Sequence, residues 1–505
     1  MSLFVKKSMA SLQAQAGDSE KGLKRTLGAG NLVALGIGAI IGAGLFVRTA
    51  LAAGEHAGPA VTISFIIAAI GCAFAGLCYA EFASIIPIAG SAYTYAYATM
   101  GELIAWIIGW ALILEYALGA ATVSISWSEY LNKLLGGSIP YEWCHSPFQK
   151  LVENGVTHHG IINAPALLIL LLLSLLLIKG TKESASVNTI IVIVKVTIVL
   201  VFIAVGWKFI HAENHTPYMI PADAAPAMQQ DGTLYSYTNF FNHGWGGVLR
   251  GAAIVFFAFI GFDAVSTAAQ EAKNPKKDMP MGILGSLVIC TILYILFSYV
   301  LTGVAPYTDF VKSGKEASVT YAIAKYMAGY GWLGTFVTVA ILAGFSSVIL
   351  VMLMGQSRVF YTMASDGLLP KVFSDLHPKF RTPYKSNMIL FLFVGGFAAF
   401  IPGDVTGDLT SIGTLFAFVL VCAGIWILRR KDPGLIRPFK TPLVPLVPIL
   451  GILVCTAMII SLSNETLLSA FAWMLIGLVV YFSYSKRNSK LRNPAEILPN
   501  AKDFG

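Results

Sequence analysis

Residues 30–51 read GNLVALGIGAIIGAGLFVRTAL, an apolar stretch with Gly36, Gly38, Gly42 and Gly44 close together. The stretch is long enough to cross a bilayer as a helix, which needs about 20 mostly apolar residues. Glycine inside a helix costs about 1 kcal/mol relative to alanine, so such a cluster is unfavourable for a continuous helix. The pattern indicates either a break in a membrane helix or a face of small residues on which another helix packs closely.

A second interrupted stretch, GAAIVFFAFIGFDAVSTAAQE, occupies 251–271 and has Gly261 and Asp263 in its middle. An aspartate at the centre of a bilayer costs at least about 2.5 kcal/mol, so it needs a partner or a water-filled cavity. Interrupted helices at corresponding positions of two halves are typical of inverted-repeat transporters that bind substrate at the membrane midplane. The two halves share no evident sequence identity, so the repeat is predicted from position alone.

The composition places the rest of the chain in a bilayer as well. Of its 505 residues, 56% are hydrophobic and only 12% are charged, about half the charge of an ordinary soluble domain. This excludes a secreted scaffold, a nucleic-acid-binding factor and most soluble enzymes, and the absence of period-2 alternation excludes a membrane β-barrel. We predict an all-α membrane protein with twelve transmembrane helices, at 29–53, 60–86, 102–131, 161–179, 188–210, 247–271, 282–304, 331–362, 386–402, 409–428, 443–462 and 466–485.

The positive charges predict the orientation of these helices. Of the 34 Lys and Arg residues, 25 lie in segments that an even-numbered topology places on the same side as both termini. Because basic residues accumulate in cytoplasmic loops, both termini are predicted to be cytoplasmic, in a plasma or inner membrane. We predict four units: a cytoplasmic N-terminal segment (1–28), a transport core made of helices 1–5 and 6–10 (29–428), helices 11 and 12 (443–485), and a cytoplasmic tail (486–505).

Several chemistries are excluded by motif. GAIIGAGLF has no preceding strand and no βαβ context, so it is not a dinucleotide fingerprint, and the chain contains neither GxxxxGK[ST] nor HExxH. The six cysteines have no CxxC pairing and read as small apolar residues. The basic residues are spread over loops instead of forming a patch, which argues against nucleic-acid binding. We expect no catalytic residue, no metal and no cofactor.

Four segments in this order resemble one family. They are GAIIGAGLFV (38–47), CYAEFASIIPIAGSAYTYAY (78–97), FFAFIGFDAVSTAAQEAKNPKKDMP (256–280) and GQSRVFYTMASDGLLPKVFSDLHPKFRTP (355–383). They resemble the amino acid–polyamine–organocation superfamily, especially the bacterial relatives of the cationic amino acid transporters, and the resemblance covers about 24–485. It implies a five-plus-five inverted repeat with helices 1 and 6 broken, two additional helices, and transport by alternating access.

The resemblance implies that an amino acid binds at the two breaks. An amino acid has a carboxylate, which the free N–H groups and positive dipole at a half-helix N-terminus attract. Its ammonium group would bind carbonyl groups freed by the breaks. The predicted substrate contacts are therefore the N–H groups of Gly42, Ala43 and Gly44 and the carbonyl groups of Ile40, Phe256 and Ile260.

Three further side chains are assigned to the pocket by the same resemblance. Phe257 matches an aromatic gate in helix 6, although a lipid-facing phenylalanine has the same sequence appearance. Glu115, in the middle of helix 3, is expected on the side of the substrate side chain, the alternative being a structural hydrogen bond. Ser347, next to Ser346 in helix 8, would leave room for a long substrate side chain, although serine is also common at plain helix contacts.

Two charged residues are predicted to couple transport to protons. Lys195 lies about eight residues, or about 12 Å, from the cytoplasmic end of helix 5. Either its side chain reaches the membrane surface, or, as the resemblance implies, its ammonium group takes the place of a sodium ion beside the break in helix 1. A buried lysine can gain and lose a proton near neutral pH. Asp263 is the second candidate, unless it only ties helix 6 to a neighbour.

These observations predict a secondary active transporter of L-amino acids, cationic ones among the candidates, driven by proton symport. Its partners would be the amino acid, the proton and the bilayer. Two alternatives remain open: an exchanger of the same fold, and a membrane-embedded sensor that binds amino acids without transporting them.

Overall fold

The structure is a computed structural model that describes residues 3–7, 27–86, 91–153, 156–179, 185–229, 231–267, 269, 272–312, 318–378, 380 and 382–492. Most of the predicted N-terminal segment, 8–26, and the end of the predicted tail, 493–505, therefore lie outside the described residues.

The described chain is almost entirely helical. Its α-helices are α1 (Ala29–Ile40), α2 (Thr49–Ala52), α3 (Val61–Ile85), α4 (Ser91–Thr99), α5 (Glu102–Leu134), α6 (Ala164–Lys179), α7 (Ala185–Gly206), α8 (Gly244–Val255), α9 (Ala264–Thr267), α10 (Pro275–Val304), α11 (Tyr307–Lys312), α12 (Ser318–Tyr326), α13 (Gly331–Ser365), α14 (Tyr384–Phe400), α15 (Gly403–Lys431), α16 (Leu446–Ser461), α17 (Asn464–Val480) and α18 (Lys486–Asn488).

Turns of other pitch interrupt or extend several of these helices. Wide π-turns occupy Gly44–Arg48, Ala53–Ala57 and Tyr481–Ser485. Tight 3₁₀ turns occupy Gly58–Ala60, Tyr141–Trp143, Trp207–Phe209, Ala212–His215, Phe240–Asn242, Phe256–Phe259 and Lys371–Phe373.

Two long loops, 135–163 and 207–243, lie at the same end of the bundle, which we call the long-loop face. Each loop contains a small antiparallel hairpin, which the sequence did not indicate. The first pairs β1 (Lys150–Glu153) with β2 (Val156–His159), and the second pairs β3 (Ala227–Met228) with β4 (Leu234–Tyr235).

Each of the twelve predicted spans overlaps an apolar helix. Within the described residues, seven helical runs are long and apolar enough to cross a membrane, and five shorter apolar helices accompany them. The number of crossings and the inverted repeat remain predictions.

The helices are arranged as a buried centre and a lipid-like periphery. Helix α5 packs along α13 and α15, and these three helices contain most of the buried length. The Leu-rich α6 instead exposes leucines along one side, namely Leu168, Leu172, Leu175 and Leu176. Because exposed apolar side chains are favourable in hydrocarbon and unfavourable in water, this pattern fits a helix that faces lipid. Helices α1 and α3 both pack against α10.

Candidate functional site

The first interrupted helix breaks just before its last two clustered glycines. Helix α1 ends at Ile40, and Ile41 leaves helical geometry with φ −73° and ψ 105°. The chain becomes helical again at Gly44 as a π-turn. In a continuous α-helix the carbonyl groups of Gly38, Ile40 and Ile41 would accept from the N–H groups four residues later. The break frees these carbonyl groups for other donors.

Lys195 donates to two of the freed carbonyl groups. Its Nζ lies 2.8 Å from the Gly38 oxygen and 3.1 Å from the Ile41 oxygen. The lysine is 2% exposed, so its side chain does not reach the membrane surface, and the alternative considered from the sequence is wrong. Gly344 makes room for it, because a Cβ atom there would lie 2.8 Å from Lys195 Cε. The ammonium group therefore stabilises the broken conformation of the first interrupted helix.

The second interrupted helix breaks directly after a tight segment. Helix α8 continues as the 3₁₀ turn Phe256–Phe259, Ile260 is extended, and Gly261 takes φ +113° before α9 begins. A left-handed φ of this size is accessible to glycine and strained for other residues. The sequence signal, a glycine two residues before Asp263, marked this break correctly.

The two breaks lie directly against each other. A Cβ atom on Gly44 would lie 2.2 Å from the Ala258 Cα, and one on Gly261 would lie 2.9 Å from the Ala39 oxygen. Both contacts involve backbone, which cannot rotate away as a side chain can. The glycines therefore allow the two broken segments to approach at backbone distance.

Tyr294 of α10 joins the two breaks. Its hydroxyl group lies 3.0 Å from the Ile40 carbonyl oxygen and 2.8 Å from that of Ala258. The Ile40 carbonyl, predicted to bind the substrate ammonium, thus already has a protein neighbour that can donate to it. Sequence reasoning missed Tyr294, because a tyrosine inside an apolar helix carries no distinguishing pattern.

Behind the second break lies a buried group of carboxyl and hydroxyl side chains. Tyr116 donates to Asp263 Oδ2 over 2.9 Å, which links α5 to the second break. Both carboxyl oxygens of the neighbouring Glu115 are buried and have no hydrogen-bond partner among the described residues. The Thr414 hydroxyl is close to them, but it lies outside hydrogen-bond geometry and donates to the Thr410 carbonyl group instead. The proposed structural hydrogen bond of Glu115 is therefore not formed in the described structure.

The predicted gate residue lies inside the protein. Phe257 is 6% exposed, and the guanidinium carbon of Arg48 lies 5.9 Å from the centre of its ring. Its neighbour Phe256 packs edge-on against Phe418 of α15, with ring centres 5.4 Å apart. The lipid-facing alternative for Phe257 is therefore wrong, and the ring separates the breaks from a charged group above it.

Ser347 and Gly42 belong to the contact between α13 and the first break. Ser347 is buried, and within the described structure its hydroxyl group has no hydrogen-bond partner. The adjacent Val348 packs against Gly42, where a Cβ atom would lie 3.2 Å from a valine methyl group. Ser346 points elsewhere and accepts from the Trp127 indole over 3.1 Å. The described contact with the first break is therefore made by Val348, which follows Ser347 in α13.

A buried ion cluster above Phe257 was not anticipated. Arg48 donates to Asp408 Oδ1, and Arg250 donates to Asp408 Oδ2 over 3.1 Å. Arg48 and Arg250 lie within the predicted helices 29–53 and 247–271, and both are buried. Their position inside apolar runs was the signal that could have identified them as internal.

The junction of the two breaks is a buried polar site inside an apolar bundle. Two discontinuous helices meet inside an apolar bundle, and a buried ammonium group and buried carboxyl groups surround their junction. Among the described residues no group of His, Cys, Asp and Glu is arranged to hold a metal ion.

Comparison with known proteins identifies the family. The sequence model of the amino acid permease family matches residues 27–485. The branched-chain amino acid permease BcaP of Bacillus subtilis is 44% identical over 97% of this chain and 99% of its own length. The methylthioribose transporter of the same organism is 40% identical over 97% of this chain and 99% of its own length. Cationic amino acid transporter 4, vacuolar, of Arabidopsis thaliana is 34% identical over 86% of this chain and 68% of its own length. The chain belongs to the amino acid permease family, and it is a membrane-embedded transporter and not an enzyme.

Proposed function

We propose that this protein is a secondary active transporter that imports L-amino acids together with protons by alternating access. The observation that carries the proposal is the position of Lys195, whose ammonium group binds the carbonyl groups of Gly38 and Ile41. When Lys195 loses its proton, both contacts lose their charge, and a hydrogen bond from a charged donor is roughly twice as strong as one from a neutral donor. The conformation of the first break would thus depend on proton binding. Asp263 is the second candidate for this role.

In this proposal the substrate lies where the two breaks meet. The N–H groups of Gly42, Ala43 and Gly44 bind its carboxylate, and carbonyl groups near the second break bind its ammonium group, with Phe257 as the gate. The chain would cross a plasma or inner membrane twelve times with both termini in the cytoplasm. Helices 1–5 and 6–10 would form the inverted repeat, with helices 11 and 12 outside it.

The proposed contacts at the breaks bind the carboxylate and ammonium groups of the substrate, and its side chain is considered separately. The named relatives differ in substrate: a branched-chain amino acid permease, a methylthioribose transporter and a cationic amino acid transporter. Glu115 is a buried carboxyl group without a hydrogen-bond partner among the described residues, which supports a cationic or polar substrate side chain. Ser347 would border the same space.

Uptake into proteoliposomes tests this proposal. The purified full-length chain is reconstituted and given labelled L-leucine, L-alanine, L-arginine or methylthioribose, with and without an inward proton gradient or sodium. We expect an L-amino acid to accumulate in empty vesicles when the outside is acidic, with no requirement for sodium. Transport that requires a second amino acid inside and ignores the gradient would indicate the exchanger. Binding without accumulation would indicate a sensor, and accumulation of methylthioribose alone would contradict the substrate class.

A further inference from the structure

A cavity lies at the long-loop face, next to the first break. It has a volume of about 450 Å³ and opens between the outer end of α5, the first long loop and the start of α15. Arg48, Glu129, His145, Lys150, Asp231 and Asp404 supply its charged lining. We call this cavity the vestibule.

Most charges of the vestibule are matched to one another. His145 Nε2 lies 2.7 Å from Glu129 Oε1, and Lys150 Nζ lies 3.9 Å from Asp231 Oδ2. These pairs account for His145, Lys150 and two of the carboxylates. Arg48 and Asp404 are the charged groups that remain.

Arg48 is incompletely satisfied at the inner end of the vestibule. Its Nη2 donates to Asp408, and its Nη1 lies 3.3 Å from the Asp404 carbonyl oxygen. Its buried Nε has no hydrogen-bond partner among the described residues. A buried N–H of a charged group without an acceptor is unfavourable, because its desolvation is not compensated. The Nε–H group therefore favours an additional acceptor.

Asp408 does not compensate Arg48 fully, because it is shared. Its second oxygen accepts from Arg250, which lies close enough to Glu55 for electrostatic interaction as well. One carboxylate thus serves two guanidinium groups, and only that of Arg48 lines the vestibule. An incoming carboxylate would meet the buried guanidinium group of Arg48, whose carboxylate partner Asp408 is shared with Arg250.

The local backbone holds this guanidinium group in place. A Cβ atom on Gly407 would lie 2.9 Å from the Arg48 guanidinium carbon, so glycine leaves the room that the group occupies. On its other side the guanidinium group lies over the Phe257 ring. Arg48 is therefore in contact with both the vestibule and the gate residue.

We propose that the vestibule is an outer binding site for a zwitterionic amino acid, with the substrate carboxylate on Arg48 and its ammonium group near the exposed Asp404 carboxylate. The carboxylate would compete with Asp408 for Arg48, which weakens the link between the first interrupted helix and α15 above Phe257. This inference rests on the proposed function, because it supplies the step before the substrate passes the gate.

Cysteine accessibility in sealed vesicles tests the outer site. All six native cysteines are buried, which favours a low background with a charged, membrane-impermeant reagent. The reporter is Val405→Cys, because Val405 lines the vestibule and is 43% exposed. Phe148→Cys, at a second exposed lining residue, serves if the first reporter folds poorly. A sulfonate-bearing thiosulfonate labels the cysteine in the presence of L-leucine or L-arginine, or of isoamylamine or agmatine, which lack the carboxylate.

We expect the amino acid that is transported to slow labelling about threefold at roughly twice its dissociation constant, and the matching amine to have no effect. Arg48→Gln should abolish this protection, and Arg48→Lys, which removes the Nε–H donor but keeps a positive charge, should reduce it. Lys150→Gln is the matched control, because it removes a cation of the same cavity that is already paired. Its protection should equal that of the parent protein.

The remaining outcomes would overturn the outer site. Protection that persists in Arg48→Gln would place its cause at the breaks, and protection by amines would exclude carboxylate recognition. Equal protection by chloride or sulfate would reduce the vestibule to a general anion site. Absence of protection in vesicles that still accumulate an amino acid would reject the outer site and leave the proposed function intact, whereas absence of uptake would reject the function itself.

Discussion

The two breaks both expose backbone carbonyl groups, but different side chains lie against these groups. Each leaves carbonyl groups without helical partners inside an apolar bundle, where such groups are costly. At the first break the donor is the Lys195 ammonium group, which binds the Gly38 and Ile41 oxygens. At the second break no ammonium group is seen among the described contacts: the Tyr294 hydroxyl group lies at the Ala258 oxygen, as it also does at the Ile40 oxygen of the first break, and the Tyr116 hydroxyl group donates to the Asp263 carboxyl group.

This difference assigns the breaks different roles. An ammonium group can lose its charge near neutral pH when it is buried, whereas a tyrosine hydroxyl group remains a neutral donor under the same conditions. In the proposed function, the first break is the part whose geometry follows the proton on Lys195, and Asp263 is the second titratable candidate, at the second break. The second break carries Phe257 and is the part that can follow the substrate.

The largest effect is expected from Lys195→Ala, which removes the donor of the first break. Proton-driven uptake should fall to the level of empty vesicles, because the two carbonyl groups lose their charged partner. The measurement is uptake of the transported amino acid over a series of external pH values. Lys208→Ala, at an exposed lysine just after the same helix, should retain the parent rate. Unchanged uptake by Lys195→Ala at every pH would contradict a role of the first break in coupling.

A comparably severe but purely steric effect is expected from Gly44→Ala. The added Cβ would meet the Ala258 backbone at 2.2 Å, and overpacking of this kind typically costs about 1–3 kcal/mol or more. Thermal stability in detergent should fall, and uptake with it, at all pH values alike. Gly30→Ala in α1 is the control, because a Cβ there has no neighbour within 4 Å. A stable, active Gly44→Ala protein would mean that the breaks do not approach as closely as described.

The sequence predicted the two breaks and their charged residues because each depends on local chemistry. Clustered glycines, the glycine at 261 and a charge inside an apolar run can be recognised without knowledge of the fold. The donors Tyr294 and Tyr116 were not predictable in this way, since their importance depends on which helices become neighbours. The role of Arg48 was not predictable for the same reason, because its partner Asp408 is 360 residues away in the chain.

An intermediate effect is expected from Tyr294→Phe, which affects both breaks at once. The Ile40 and Ala258 carbonyl groups would lose a shared donor, at a cost of about 1–3 kcal/mol. Stability should fall measurably in a thermal unfolding series, and uptake should slow without changing its pH dependence. Tyr299→Phe, at a partly exposed tyrosine of the same helix, should be close to neutral. Equal effects of the two substitutions would show that the link between the breaks contributes little.

The smallest effect is expected from Tyr116→Phe, and it decides between the two roles. The substitution removes one neutral donor from Asp263, a loss of roughly 1 kcal/mol, and leaves the contacts of Lys195 intact. Uptake should therefore slow modestly while its response to external pH persists. Tyr130→Phe provides the complementary variant, because Tyr130 lies on the same helix and its hydroxyl group is 3.4 Å from the Phe46 oxygen, just beyond the first break. If Tyr116→Phe instead abolished the pH response, proton binding would belong to Asp263 at the second break, and the contrast between the two breaks would be reversed.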